Sequence, residues 1–242
     1  MRDPVQTALA LPEAAPHGGA RKGAGRKPAG ARAGVSHRGR ASFFKRMPVH
    51  VTLRVLSRVW NLRSERAMGV IERAVDRANT EAELGVVHFS VQGEHLHLVV
   101  EADDDRALAQ GMQGLSVRLA KGLNRMMDTR GKVFADRYHA HVLRTPAEVR
   151  NALAYVLLNH RSHMARARQE LGRASIDRFS SAAEFDGWAG PPRSCASAAR
   201  EGMVRRRRVT CAPRTWLLAK GWRRRGLLSH DELPASSAVR RA

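Results

Sequence analysis

The 242-residue sequence predicts an α+β fold, in which helices cover an antiparallel sheet. Segments such as VHVTLRVL and HLHLVVEA alternate apolar and polar residues, as half-buried strands do. Between and after these segments, apolar residues recur at intervals of three and four, which is the spacing of amphipathic helices. Hydrophobic residues make up 43% of the chain and aromatic residues only 5%, so we expect one sizeable core that is mainly aliphatic.

The folded region predicts seven elements in the order β-α-β-β-α-β-α. The expected elements are a strand at 49–56, a helix at 65–84 ended by Gly85, strands at 86–91 and 95–102, a helix from the Asp103–Asp105 run to about residue 128, one or two short strands within 132–144, and a helix from the Thr145-Pro146-Ala147-Glu148 capping box to about Asn159. The first six elements match a ferredoxin-like split βαβ arrangement with two helices on one face of the sheet. The last helix is an addition, and the fold alone defines no function.

The charge is distributed unevenly along the chain, whose formal net charge is +21. Residues 1–46 carry 10 basic and 2 acidic residues, residues 47–160 carry 15 and 13, and residues 161–242 carry 18 and 7. A nearly neutral middle with basic ends is typical of a folded domain flanked by phosphate-binding arms. We therefore predict a disordered basic arm at 1–46, a catalytic domain at 47–165 and a basic, partly helical extension at 166–242.

The preferred partner of so basic a chain is a polyanion, and nucleic acid is the first candidate. An anionic membrane is the weaker interpretation, because no basic amphipathic helix has a clean apolar face. The run Gly25-Arg26-Lys27-Pro28 resembles a minor-groove AT-hook, and a solvated phosphate-binding tail is the alternative. The tail residues expected to contact DNA are Arg26, Lys27, Arg205, Arg206, Arg207 and Arg208.

The two cysteines, Cys195 and Cys211, are too far apart for a CxxC pair, so neither a zinc site nor a disulfide framework is expected. The first residues lack the charged start and apolar run of a signal peptide. No apolar stretch has the length of a membrane span. These features predict a cytoplasmic, nucleoid-associated bacterial protein.

His95 and His97 form a His-x-His pair on the third predicted strand. Successive strand side chains point to opposite faces, so both imidazoles project from one face while Leu96 enters the other. Two neutral imidazoles make half of a site for a divalent cation. Ordinary strand histidines are the alternative, and the motif alone does not decide between them.

Tyr155 and Asn159 lie on the last predicted helix, and Tyr155 is one of only two tyrosines in the chain. Their four-residue spacing places the phenol and the amide on one helical face. That face is offset from the apolar stripe that includes Val149, Leu153 and Val156. The pair can face a cleft, or Tyr155 can be a packed side chain and Asn159 a polar group at the helix end.

Together these residue types suit phosphodiester cleavage. A free tyrosine phenol has a pKa of about 10 and is a weak nucleophile at neutral pH, so it needs a polarised electrophile. A cation on two imidazoles and one oxygen ligand leaves positions open for the scissile phosphate. Such a ligand set suits Mg²⁺ or Mn²⁺, and the nitrogen ligands favour Mn²⁺. Attack by the phenol would leave a covalent phosphotyrosine that conserves the bond for rejoining.

Two segments resemble the single-tyrosine HUH transposases: GEHLHLVV and, some sixty residues later, AYVLLNH. The longer run KVFADRYHAHVLRTPAEVRNALAYVLLNH resembles the branch of REP-associated tyrosine transposases in particular. The C-terminal PRTWLLAKGWRRRGLLSHDELP does so less specifically. The resemblance covers about residues 45–165, and the two tails only loosely.

The resemblance implies a ferredoxin-like domain that nicks and joins hairpin-forming single-stranded DNA in a metal-dependent reaction. It implies that His95 and His97 hold the cation, with Asn159 as the third ligand. It also implies that Tyr155 attacks the DNA, leaving a 5′-phosphotyrosine and a free 3′-OH, and that Arg137 contacts a phosphate. We expect a monomer or a homodimer, since in some relatives the tyrosine helix is exchanged between subunits.

Further residues and functions stay open. Tyr138 is interpreted as structural or as a DNA contact. A non-catalytic nucleic-acid-binding regulator derived from a transposase would need exposed strand aromatics, and Phe89 and Phe134 are the only obvious ones. A replication initiator or relaxase would share the chemistry but typically places its tyrosine elsewhere or has more domains. Metal candidates on composition alone, to which we assign no role, are His139, His141, His160 and His163.

Overall fold

The computed structural model describes residues 42–81, 84–166, 176–190 and 208–233. Most of the predicted basic arm lies outside these residues, as do the predicted DNA contacts Arg26, Lys27, Arg205, Arg206 and Arg207. Among the helices in the described part of the chain, none is long and apolar enough to cross a membrane.

The elements follow the predicted order. They are β1 (Met47–Arg54), α1 (Glu65–Thr80), β2 (Leu84–Val91), β3 (His95–Ala102), α2 (Asp105–Met127), β4 (His139–Val142), α3 (Pro146–Arg166) and α4 (Trp216–Ala219), with 3₁₀ helices at Ser181–Glu184 and Gly221–Arg225. The four strands form one sheet in the order β2-β3-β1-β4, in which all neighbours are antiparallel. This is the split βαβ topology, so the predicted α+β, ferredoxin-like fold is confirmed.

The predicted end of α1 is wrong. The helix stops at Thr80, and Gly85 belongs to β2 rather than ending the helix. Asn79 explains the early stop, because its side chain accepts from the backbone N–H of Val86 at 2.6 Å and donates to its carbonyl at 3.1 Å. These two bonds tie the last turn of α1 to Val86 of the next strand, which begins at Leu84, two residues earlier than predicted.

The predicted helix starts at the Asp103–Asp105 run and at Thr145 are confirmed. Asp104 caps α2 by accepting a hydrogen bond at 2.7 Å from an amide of the first turn. At the start of α3, Thr145 and Glu148 exchange bonds between side chain and backbone at 2.9 and 3.2 Å, as in a capping box. α3 continues to Arg166, past the predicted end near Asn159.

The sheet is covered on both faces. α1 and α2 pack on one face, where alternate strand residues form the main core: Val49, Val51, Leu53, Leu96, Leu98 and Val100. α3 packs on the other face and forms a second core around Val99, with Val149, Leu153 and Val156 fully buried. The added helix therefore closes the sheet face that two helices alone would leave open.

Part of the chain after α3 also packs on this second core. Leu218 and Trp222 are buried there at 3% and 1% exposure. Glu101 of β3, itself only 1% exposed, accepts hydrogen bonds from the backbone N–H groups of Arg214 and Thr215 at 2.7 and 2.8 Å. It also accepts one from the Thr215 hydroxyl at 2.5 Å. A buried carboxylate thus anchors residues of the predicted 166–242 extension to the sheet; the division into domains stays a prediction.

The Glu101→Gln variant should lose about 2–3 kcal/mol of unfolding free energy, because an amide NH₂ cannot accept the bond that one carboxylate oxygen accepts. Denaturant titration measures the loss, and limited trypsin digestion should show faster cleavage after Arg223–Arg225. Glu94→Gln is the matched control, since Glu94 makes an exposed ion pair with Arg54 at 2.9 Å. Equal stability of the two variants would contradict the anchoring role.

His88 of β2 is a buried histidine at the junction with the segment after α3. It is 7% exposed, its Nδ1 lies 3.2 Å from the Ser181 hydroxyl, and its ring meets the edge of Phe185 at 5.2 Å between centroids. Burial, with a smaller contribution from the charge of Arg208, lowers the pKa of His88 from 6.5 to about 4, although Asp186 opposes the shift. His88 is therefore neutral in the folded protein at neutral pH.

Because the pKa of His88 is lower in the folded chain than in the unfolded one, protonation favours unfolding. Its contribution to stability is complete above pH 6.5 and is lost as the pH falls toward 4. At pH 5 the loss is roughly 2 kcal/mol. His88→Gln should reduce the decline in unfolding free energy between pH 7 and pH 5 by about that amount, whereas His141→Gln, at an exposed histidine, should not. Identical pH profiles for the wild type and His88→Gln would exclude this contribution.

Candidate active site

The candidate site lies on the α3 side of the sheet, where β3 presents His95 and His97. Their ring centroids are 4.7 Å apart, with the planes at 85°. Leu96 between them is fully buried in the main core on the opposite face. The predicted same-face orientation of the two imidazoles therefore agrees with the strand geometry.

Tyr155 reaches this pair from α3. Its ring meets that of His97 edge-on, at 4.9 Å between centroids and 82° between planes. His97 is 4% exposed, and Tyr155 is partly buried at the margin of the second core. The structure thus brings together a phenol and two imidazoles that lie some sixty residues apart in the sequence.

Two residues of β1 complete the surroundings of His97. The Nδ1 atom of His97 lies 3.1 Å from the Thr52 hydroxyl and 3.3 Å from Nε2 of His50. The His50 ring stacks on His97 at 5.4 Å and meets Tyr155 edge-on at 5.6 Å. One nitrogen of the His97 imidazole therefore faces polar groups of the neighbouring strand, which leaves Nε2 as the nitrogen that faces away from them.

Sequence reasoning missed His50 and Thr52. A signal for them was present, because in the segment VHVTLR both alternate with the buried Val49, Val51 and Leu53 and must lie on the opposite face. The predicted topology already pairs β1 with β3, but the sequence did not reveal the register that places Thr52 beside His97.

β4 extends the row of imidazoles. His139 pairs with Thr52 and His141 with His50, so both point to the same face of the sheet, where they are exposed. Burial, with smaller contributions from His139 and His141, lowers the pKa of His50 from 6.5 to about 4. His50 is therefore a neutral imidazole at neutral pH, able to bond with His97 without repelling a cation.

Asn159 lies one turn after Tyr155 on α3 and is 3% exposed. Within the described residues its amide nitrogen makes no hydrogen bond, so no such bond fixes the orientation of the amide. In the same part of the chain, no group of three or more His, Cys, Asp and Glu side chains could hold a metal ion.

The remaining predicted site residues lie further out. Arg137 is exposed on the loop before β4, and the adjacent Tyr138 is buried in the main core, which favours the structural interpretation of Tyr138. Arg208 is exposed, with its Nε atom 3.8 Å from Glu184. The structure does not bring Tyr138 onto the face that carries His97.

Several solved structures are similar to this fold. A REP-associated tyrosine transposase bound to a REP hairpin matches with a TM-score of 0.46 and 12% identity, over 74% of this chain and 93% of that one. A candidate transposase from Deinococcus radiodurans R1 matches with a TM-score of 0.36 and 12% identity, over 57% and 100%. A bacterial tRNA(His) guanylyltransferase-like protein in complex with GTP matches with a TM-score of 0.38 and 13% identity, over 53% and 71%.

No protein-family model matches the sequence, and no curated protein matches it. The similarities to solved structures, at 12–13% identity, concern the path of the backbone. What the site can do must therefore be argued from its own residues.

Proposed function

We propose that the protein is a metal-dependent enzyme that nicks hairpin-forming single-stranded DNA and transfers the strand, with Tyr155 as its nucleophile. The observation that carries this proposal is the edge contact between Tyr155 and His97, at 4.9 Å between ring centroids. It puts the phenol ring of Tyr155 from α3 beside a His-x-His pair on β3.

In the proposed reaction, the phenolic oxygen of Tyr155 forms a bond to the phosphorus of the scissile phosphate. The bond between phosphorus and the 3′ oxygen breaks, the phenolic proton leaves to water, and the 3′ oxygen takes up a proton. The products are a 5′-phosphotyrosine and a free 3′-OH. Attack by another 3′-OH reverses these steps and joins the strands, releasing Tyr155.

His95, His97 and Asn159 would hold a Mg²⁺ or Mn²⁺ ion, through two imidazole nitrogens and an amide oxygen. When bound, the ion would supply positive charge to the phosphoryl oxygens during attack. The fit of Asn159 to this role is supported by its burial and by an amide nitrogen without a hydrogen bond among the described residues. His50 and Thr52 would act as positioning residues, because they bond the Nδ1 side of the His97 ring and orient its Nε2.

DNA phosphates would be bound by the basic parts of the chain. The exposed Arg137 and Arg208 are candidate contacts, together with the tail residues Arg26, Lys27, Arg205, Arg206 and Arg207. A monomer or a homodimer is compatible with this assignment.

The alternative of a non-catalytic binder that stacks bases on its sheet has little physical support. α3 covers one face of the sheet, and α1 and α2 cover the other. Phe89 is 2% exposed in the main core, and Phe134 packs partly buried against the same core. Neither described strand aromatic offers an open ring to an unpaired base.

Tyr155→Phe should abolish covalent adduct formation while preserving the ring packing and the fold. Labelled single-stranded hairpin DNA is incubated with the full chain and Mn²⁺, and the adduct is detected on a denaturing gel. Tyr138→Phe removes the other hydroxyl of this type and should leave the adduct intact. An adduct that persists in Tyr155→Phe, or one lost in Tyr138→Phe alone, would mean that the nucleophile is wrongly assigned. His95→Ala and His97→Ala should each nearly abolish the adduct.

Thr52→Val should weaken Mn²⁺ binding by about tenfold or more, because it removes a hydroxyl that orients the His97 ring without removing a ligand. Mn²⁺ binding is measured directly, from the paramagnetic resonance signal of the free ion, so that no turnover is needed. Ser90→Ala is the matched control, since Ser90 also lies beside His97 in register but its hydroxyl accepts from Gln92. Equal Mn²⁺ affinity in Thr52→Val and the wild type would overturn the positioning role.

A further inference from the structure

A second feature lies on the opposite side of the sheet, on the outer surface of the helix pair α1 and α2. The two helices border an open groove of about 580 Å³. Five arginines line it: Arg66, Arg73, Arg77, Arg118 and Arg125. None of the described residues that line the groove is acidic.

The arginines form one row on each helix. Arg66, Arg73 and Arg77 follow one another at intervals of seven and four residues along α1, so they share one helical face. Arg118 and Arg125 are seven residues apart on α2, about 10 Å along its axis. The groove therefore has cationic side chains along both of its edges.

A close approach of the helices brings the two rows together. At Gly122 of α2, a Cβ atom would lie only 2.5 Å from Cγ1 of Val70 on α1. Any larger residue at Gly122 would push the helices apart and widen the groove. The contact between Gly122 and Val70 therefore fixes the apolar floor of the groove. It also fixes the distance between the two rows of arginines.

The positive charge of the groove is only partly balanced. Glu81 pairs with Arg77 at 3.4 Å and also with Arg118, while Arg66 donates to the carbonyl of Met126 at 3.0 Å. Arg73 and Arg125 are exposed and make no ion pair within the described part of the chain. At least two guanidinium groups therefore point into solvent with no carboxylate partner.

We propose that this groove binds the phosphate backbone of duplex DNA, at a surface separate from the strand engaged at Tyr155. Guanidinium groups without acidic partners bind phosphates, and such contacts position a duplex without reading its sequence. Single-stranded DNA is the poorer fit, because the described lining residues include no aromatic ring, and only one exposed ring, that of Trp60 beside Arg66, adjoins the lining, whereas single strands are bound by successive stacked bases.

The groove and the candidate active site lie on opposite faces of the sheet, so one molecule can hold a duplex and a single strand at the same time. This inference extends the proposed function but does not need Tyr155 to be a nucleophile. The duplex interaction can be measured in EDTA, where no metal-dependent cleavage occurs.

The test compares the full-length wild type with Arg73→Gln/Arg125→Gln in binding a labelled blunt duplex, by fluorescence anisotropy at several salt concentrations. Glutamine keeps a good helix propensity and removes the charge. We expect a loss of affinity of about tenfold or more, and a reduction of about 2 in the slope of log K against log salt. Arg106→Gln/Arg130→Gln is the control, with the same charge change at exposed positions outside the groove, and should bind within about twofold of the wild type.

Arg73→Lys/Arg125→Lys should restore most of the duplex affinity, because attraction to phosphates depends mainly on charge. Equal losses in the groove variant and the control variant would overturn the proposal, since they would indicate a non-specific effect of net charge. So would an unchanged duplex affinity together with lost binding to phosphatidylserine vesicles, which would identify a lipid surface as the partner. If no adduct forms at Tyr155 but the groove variant alone loses duplex affinity, only the catalytic proposal is contradicted.

Discussion

The contact between Tyr155 and the histidines depends on the packing of α3 against the sheet. Val149, Leu153 and Val156 of α3 are completely buried in the second core, and burial of each such side chain contributes roughly 1.5–3 kcal/mol. Apolar side chains on all sides of α3, from Ala152 to Leu158, are buried, and this all-round packing holds the helix in the position from which Tyr155 contacts His97.

The segment after α3 supports this packing from the other side. Trp222 is buried against the second core, and Arg150 of α3 forms a two-pronged ion pair with Glu232 at 2.8 and 2.9 Å. The same segment is anchored to β3 by Glu101, which lies four residues after His97 on that strand. The strand that presents the imidazoles and the helix that presents the phenol are therefore linked through a third piece of chain, which makes the site sensitive to changes well outside it.

The sequence was informative where the determining interactions are local. Strand alternation is enough to place His95 and His97 on one face, and the capping residues near Asp104 and Thr145 are read from neighbouring positions. The sequence was uninformative where the interacting residues are far apart along the chain. Asn79 ends α1 early because it bonds Val86 in the next strand, and His50 and Thr52 reach His97 only through the register of the pair β1–β3, which the predicted topology leaves open. The contacts of His97 with His50 and Thr52 depend on this pairing between strands that are distant in the sequence.

The two faces of the sheet differ in electrostatic character, and the difference follows from what each face buries. On the α3 side, burial lowers the pKa of His50 to about 4 and keeps that imidazole neutral at neutral pH. On the outer surface of α1 and α2, guanidinium groups stay solvated and charged at any working pH. Long-range attraction of DNA needs charged side chains that are exposed to solvent. Phosphoryl transfer is instead favoured where water is excluded from the reacting groups. In the two proposals these functions lie on opposite faces of one sheet, so each demand would be met without weakening the other.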